Sequence, residues 1–166
     1  KEDFLIFNND KKYDLVIGNP PYFVMKKKDI PKEYKKYMNG RPNIFTIFIL
    51  KSLDLLKDNG IIAFILPKSF LNCSYYSSIR ELIFNNYQIK TIIECFEDKY
   101  IETEQETIIL VLKKQEKRTN SKFCIKNDYY LFNTKDNISK MKGAINGSTT
   151  LNKMGFTVFN GNFVWN

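Results

Sequence analysis

The chain has 166 residues, 43% hydrophobic and 15% aromatic, with a formal net charge of +8 and a sequence pI of about 9.3. One domain's length with that much apolar mass excludes a disordered chain, and the basic balance favours polyanionic partners without choosing among them. There is no histidine, Cys73, Cys95 and Cys124 stand far apart with no CxxC pair, and no apolar run nears the roughly 18 residues of a membrane span, so the commonest general base, zinc and disulfide frameworks and a membrane helix all lose support.

A reducing, cytoplasmic setting without membrane or metal is therefore expected. The chain opens on Lys1 rather than Met and stops at Asn166 amid apolar residues, as a segment of a longer protein would.

Phe4-Leu5-Ile6-Phe7 is a short apolar run ending in the turn-forming Asn8-Asn9-Asp10. Residues 13–18 read as a buried strand, stopped by Asn19-Pro20-Pro21. Residues 24–41 are polar and basic, a loop or a solvated helix. Between 43 and 57 the apolar positions recur at helical spacing, and Asp58-Asn59-Gly60 reads as the stop, with Gly60 as a left-handed cap.

Residues 61–66 form a continuous apolar run closed by Pro67, suited to a central parallel strand. Residues 74–86 read as a helix capped by Ser74, with Ile79, Leu82 and Ile83 inward. Strands are expected at 89–96 and 107–112. The polar stretch between them is short for a crossover helix, so that pair is read as antiparallel. After Lys117-Arg118-Thr119-Asn120 the character changes to short mixed segments rich in Asn, Lys and aromatics. The alternation indicates an α/β doubly wound sheet over 1–118, with 119–166 as a linker and the possible start of a second domain.

Asn19-Pro20-Pro21-Tyr22, directly after a strand, is the informative feature. Ligands of an open parallel sheet bind beyond the carboxyl ends of its strands, where this turn falls. Two prolines stiffen it. The Asn19 side-chain carbonyl and the Pro20 backbone carbonyl are acceptors that can hold an exocyclic amino group together, and Tyr22 offers a flat face to a planar base.

The run Tyr13-Asp14-Leu15-Val16-Ile17-Gly18-Asn19-Pro20-Pro21-Tyr22 resembles motif IV of the S-adenosylmethionine-dependent adenine-N6 DNA methyltransferases, in the branch whose target-recognition domain follows the catalytic domain. Glu2-Asp3-Phe4-Leu5-Ile6-Phe7 resembles the preceding cofactor motif, and Asn43-Ile44-Phe45-Thr46-Ile47-Phe48 the next helix. Gly60 to Pro67, followed by Lys68-Ser69-Phe70-Leu71, resembles the strand-and-proline signature of later motifs.

The resemblance implies a partial Rossmann-like methyltransferase sheet, mostly parallel with a terminal antiparallel strand, whose residues 1–118 are the target-base half. It implies methyl transfer from S-adenosyl-L-methionine to the amino group of adenine in DNA, in a restriction-modification context, with a restriction endonuclease as companion. Asn19 and Pro20 would accept from the target amino group, and Tyr22 would stack on the base once it leaves the duplex. Phe96 would lie on the base's opposite face. Asp3 would bind the amino group of the cofactor's adenine, with Phe4, Pro21 and Phe48 around its ring. Lys26, Lys27 and Lys28 would neutralise phosphates.

The glycine-rich cofactor loop of such folds has no counterpart before residue 19. The chain alone is therefore expected to bind the cofactor negligibly and to be inactive. Two other readings remain at this point: an amino methyltransferase for protein glutamine amides or RNA, and a non-catalytic scaffold or DNA-binding piece.

Overall fold

Four strands form one sheet: β1 (Tyr13–Gly18), β2 (Leu56–Pro67), β3 (Gln88–Cys95) and β4 (Thr107–Lys113). Their spatial order is β1-β2-β4-β3 in the computed structural model, which describes residues 3–7, 10–95, 106–116, 118–126 and 130–157. β1 and β2 are parallel, and β4 is antiparallel to both β2 and β3. Three strands thus share a direction and one is reversed. The expected antiparallel strand is last in the chain's sheet order but not at the sheet edge. It fills a slot between β2 and β3, which leaves β3 as one edge and β1 as the other.

Helix α1 (Ile44–Asp54) connects β1 to β2, and α2 (Ser77–Asn86) lies between β2 and β3. Asn43 caps α1, its side-chain oxygen accepting from Phe45 N at 3.4 Å. Phe45, Ile47, Ile49, Leu50 and Leu53 of α1 are all buried, so this helix is apolar on nearly every side. The basic stretch before it forms two 3-10 turns, Lys27–Asp29 and Lys32–Tyr37. They are pinned by buried Ile30 and by Tyr34, whose hydroxyl donates to Asp54 at 2.7 Å.

Several expectations need correction. The first helix ends at Asp54, and β2 begins at Leu56, so Asp58-Asn59-Gly60 belongs to the strand rather than to a helix stop. The left-handed residue is Asn59 (φ 64°), not Gly60. The register between β1 and β2 slips from Tyr13↔Leu56 to Leu15↔Ile61, and the extra β2 residues form a bulge there. Gly60 is needed for proximity: a Cβ would sit 2.9 Å from Lys57 O and 3.0 Å from Tyr13 O. Ser74 caps nothing, because residues 74–76 form a 3-10 turn and α2 starts at Ser77 without a side-chain cap.

β1 is not a buried strand either. Ile17 is 71% exposed and Leu15 52%. The reason lies in the sheet: α1 and α2 cover one face only. On that face Ile62, Phe64 and Leu66 of β2, Leu110 and Leu112 of β4 and Ile92 of β3 are nearly inaccessible. Each such side chain contributes roughly 1.5–3 kcal/mol by leaving water. Strand alternation turns Leu15, Ile17, Val111 and Ile93 to the other face.

Residues after 118 join the covered side. A hairpin of β5 (Cys124–Lys126) and β6 (Tyr130–Phe132) places Cys124, Tyr130 and Phe132 in the same core, and Ile138 of α3 (Lys135–Ile145) is buried as well. Buried Asn120 accepts from Ile89 N at 2.8 Å and donates to Phe84 O and Tyr87 O, tying this segment to the end of α2 and the start of β3.

Candidate active site at the carboxyl rim

β1 ends because Pro20 and Pro21 offer the ladder no N–H. The turn they make stands at the carboxyl end of β1, beside that of β2. Asn19 is exposed, Pro20 buried and Pro21 exposed. Tyr22 is half-buried. Its hydroxyl oxygen lies 2.8 Å from Asn19 Oδ1 and 2.9 Å from the Ile65 carbonyl of β2. The Tyr22 ring meets Phe45 edge-on, centroids 6.1 Å apart, and Phe45 in turn packs on Phe70 and Tyr76. A rigid aromatic core therefore carries the corner.

After the corner the chain is sewn back to the start of α1. Ile44 N donates to Phe23 O and Met25 N to Pro42 O, both at 2.9 Å. Gly18, the last strand residue, has no room to grow: a Cβ would come 3.0 Å from the Phe64 ring.

The expected cofactor residues come partly together. Phe4 and Phe48 pack with centroids 4.7 Å apart at 34°, and Lys51 Nζ lies over the Phe4 ring while donating to Leu5 O at 2.8 Å. Asp3 is exposed and starts a turn, its Oδ1 accepting from Leu5 N at 2.9 Å. The two rings touch, so a third planar ring fits on their outer surface and not between them. Phe45 and Phe48 are three residues apart on α1, which makes one helix the common support of the Tyr22 corner and the Phe4 platform. A cleft of about 510 Å³ lies beside residues 5–7, lined also by Lys12, Tyr34, Lys51 and Asp54, not at the Asn19 corner.

Lys26, Lys27 and Lys28 are exposed on the segment that leaves the corner. Phe96 lies outside the described residues.

Two features of this side were not singled out from the sequence. Lys68, directly after Pro67, bridges Glu94 at 3.3 Å and Glu106 at 3.1 Å, and Asn137 also donates to Glu94. The hydrogen bond to Glu106 is the largest influence raising the Lys68 pKa, against some opposing burial. Fully buried Arg80 donates to the carbonyls of Phe70, Cys73 and Tyr130, bracing the 68–76 connection against β6. Burial lowers its pKa to about 10, which leaves it charged at neutral pH. Its spacing on α2 matched an ordinary polar position, so only the fold reveals it.

The arrangement has known counterparts. A structure from Listeria monocytogenes, assigned to the class I S-adenosylmethionine-dependent methyltransferases, superposes with a TM-score of 0.55 at 20% identity, over 68% of this chain and 35% of that one. The sheet is that of the Rossmann-like methyltransferases. Residues 1–101 match the Eco57I restriction-modification methylase family, and the chain belongs to it.

Modification methylase CviBIII of Paramecium bursaria Chlorella virus NC1A is 41% identical over 86 residues, 49% of this chain and 21% of that protein. Type II methyltransferase M.AccI of Acinetobacter calcoaceticus is 31% identical over 119 residues, 67% of this chain and 22% of that protein. The chain thus spans about a fifth of the length of these relatives.

Proposed function

We propose that this chain is the target-base half of a DNA methyltransferase that moves a methyl group from S-adenosyl-L-methionine to the exocyclic amino group of adenine, within a restriction-modification system. The observation that carries the reading is the Asn19-Pro20-Pro21-Tyr22 corner, which presents an exposed carboxamide at the carboxyl rim of a methyltransferase sheet. Family membership and the relatives' names support it.

An adenine amino group is a poor nucleophile because its lone pair is delocalised into the ring. Asn19 Oδ1 and the Pro20 carbonyl accept its two hydrogens, favour a pyramidal nitrogen and aim the lone pair outward. Tyr22 stacks on the extruded base. Lys26, Lys27 and Lys28 take phosphates, and Phe96 closes on the second face of the base.

The cofactor, when bound, supplies an already activated methyl group. Asp3, accepting an adenine amino group, and the outer surface of the Phe4–Phe48 pair fit its adenine end, and the reading assigns Pro21 to the same ring. The glycine-rich turn for its other end is not found before residue 19. DNA and a companion endonuclease are the partners this reading assigns. Among the described residues no helix is long and apolar enough to cross a membrane.

The test is Asn19→Ala in the full-length enzyme. Loss of one preorganised contact of this kind costs about 3 kcal/mol, on the order of a hundredfold in rate. Radiolabelled methyl reaching adenine at a near-normal rate, in a folded variant, would remove the assignment.

A further inference from the structure

The Tyr22 hydroxyl stands between two oxygens and has one proton to give. The sheet register decides which oxygen receives it. β1 and β2 pair as Gly18↔Phe64, so continuing the ladder sets Pro20 opposite Leu66. In a parallel ladder the N–H that reaches the Ile65 carbonyl would be that of residue 20. Lys68 N, on the alternate side of the strand, bonds instead to Glu106 O next to β4, which leaves Ile65 turned toward β1. Residue 20 is proline, so the ladder supplies no donor there. The phenol hydroxyl at 2.9 Å stands in for the missing N–H.

A part-buried strand carbonyl without a donor is costly, whereas exposed Asn19 has water at hand. The proton therefore goes to Ile65 and the phenol oxygen is left as an acceptor. A carboxamide has the same shape with its oxygen and nitrogen exchanged, and its neighbours set which end faces which. Facing an acceptor, Asn19 presents Nδ2.

Resting on the methyltransferase reading above, we propose that the Tyr22 hydroxyl is a positioning group: held by the Ile65 carbonyl, it accepts from Asn19 Nδ2 and so turns Asn19 Oδ1 outward as the acceptor for the target's amino group. One residue then has two separate duties, its ring for the base and its hydroxyl for Asn19. Pro20 is what makes the second possible, because it vacates the strand carbonyl.

The test is a double-mutant cycle in the full-length enzyme, reading kcat and KM for DNA and methyl donor. Tyr22→Phe keeps the ring and is expected to lower kcat about tenfold, with both KM values within about twofold, as for loss of one orienting hydrogen bond. In the Asn19→Asp background the carboxylate has two equivalent acceptor oxygens and no orientation to lose. There, from a lowered but measurable starting rate, Tyr22→Phe costs less than about twofold.

An unchanged kcat for Tyr22→Phe overturns the relay. So does an equal loss in both backgrounds, which is also what a folding defect would give, or an inactive Asn19→Asp enzyme. Failure of the underlying reading shows separately, as near-normal methyl transfer by Asn19→Ala whatever the cycle gives.

Discussion

The two faces of the sheet are built from the same aliphatic residues and end in opposite environments. Ile62, Leu66 and Leu110 are at most 1% exposed, while Ile17, Leu15 and Ile93 on the other face are 71%, 52% and 49% exposed. Strands that run parallel are normally covered on both sides, and β1 and β2 carry apolar residues suited to that. Composition states what a face would bury. It does not supply the element that buries it, and α1, α2 and the β5–β6 hairpin all gather on one side. The candidate catalytic corner stands where the two faces meet, at the end of the exposed edge strand but footed on the aromatic core of the covered side.

The sharpest challenge to this contrast is a pair of equal truncations. Leu110→Ala opens the covered face and is expected to cost about 2–5 kcal/mol in urea unfolding, since a buried leucine loses both its transfer energy and its packing. A smaller loss would mean that this face repacks readily.

A second, smaller effect is expected from pH. Burial raises the Cys124 thiol pKa to about 11 and the Tyr87 phenol to about 12. Both folded values lie above the ordinary ones, so the native state favours the protonated groups. Their contribution is complete below about pH 9, and is lost as pH climbs through 9–11 for Cys124 and 10–12 for Tyr87. Melting curves between pH 8 and 12 should show this decline, and Cys124→Ala should delay its onset. A decline that begins below about pH 8 would contradict the assignment of these groups.

The smallest effect belongs to the open face. Ile17→Ala in this chain is expected to change stability by no more than about 0.5 kcal/mol. In a longer polypeptide whose further segments covered that face, the same change would approach the cost at Leu110. Comparing Ile17→Ala in the two contexts therefore measures directly how far the difference between the faces depends on what covers them.

Much of the covered side was readable from residue order. The apolar spacing of α1, the run before Pro67, the inward Ile79 and Ile83 and the antiparallel pairing of the last two strands of the sheet all follow from local pattern. The corner was legible for the same reason: a strand cannot continue through two prolines, whatever lies around it. The errors came where a local signal had two uses. Asp58-Asn59-Gly60 reads equally as a helix stop and as a bulge inside a strand, and only the Tyr13 carbonyl pressed against Gly60 tells them apart. Arg80 carries no such signal at all, because nothing nearby in sequence announces three carbonyls waiting from residues 70, 73 and 130.

Residue order by itself thus determined where strands and helices begin to be possible and where the backbone must turn, because steric limits and missing donors act within a few residues. Tertiary structure alone decided that β4 enters between β2 and β3, that the described helices gather on one face, and that Tyr22 reaches Ile65. Each of these joins residues 40 or more positions apart, or depends on which neighbour arrives, and no short-range preference encodes that.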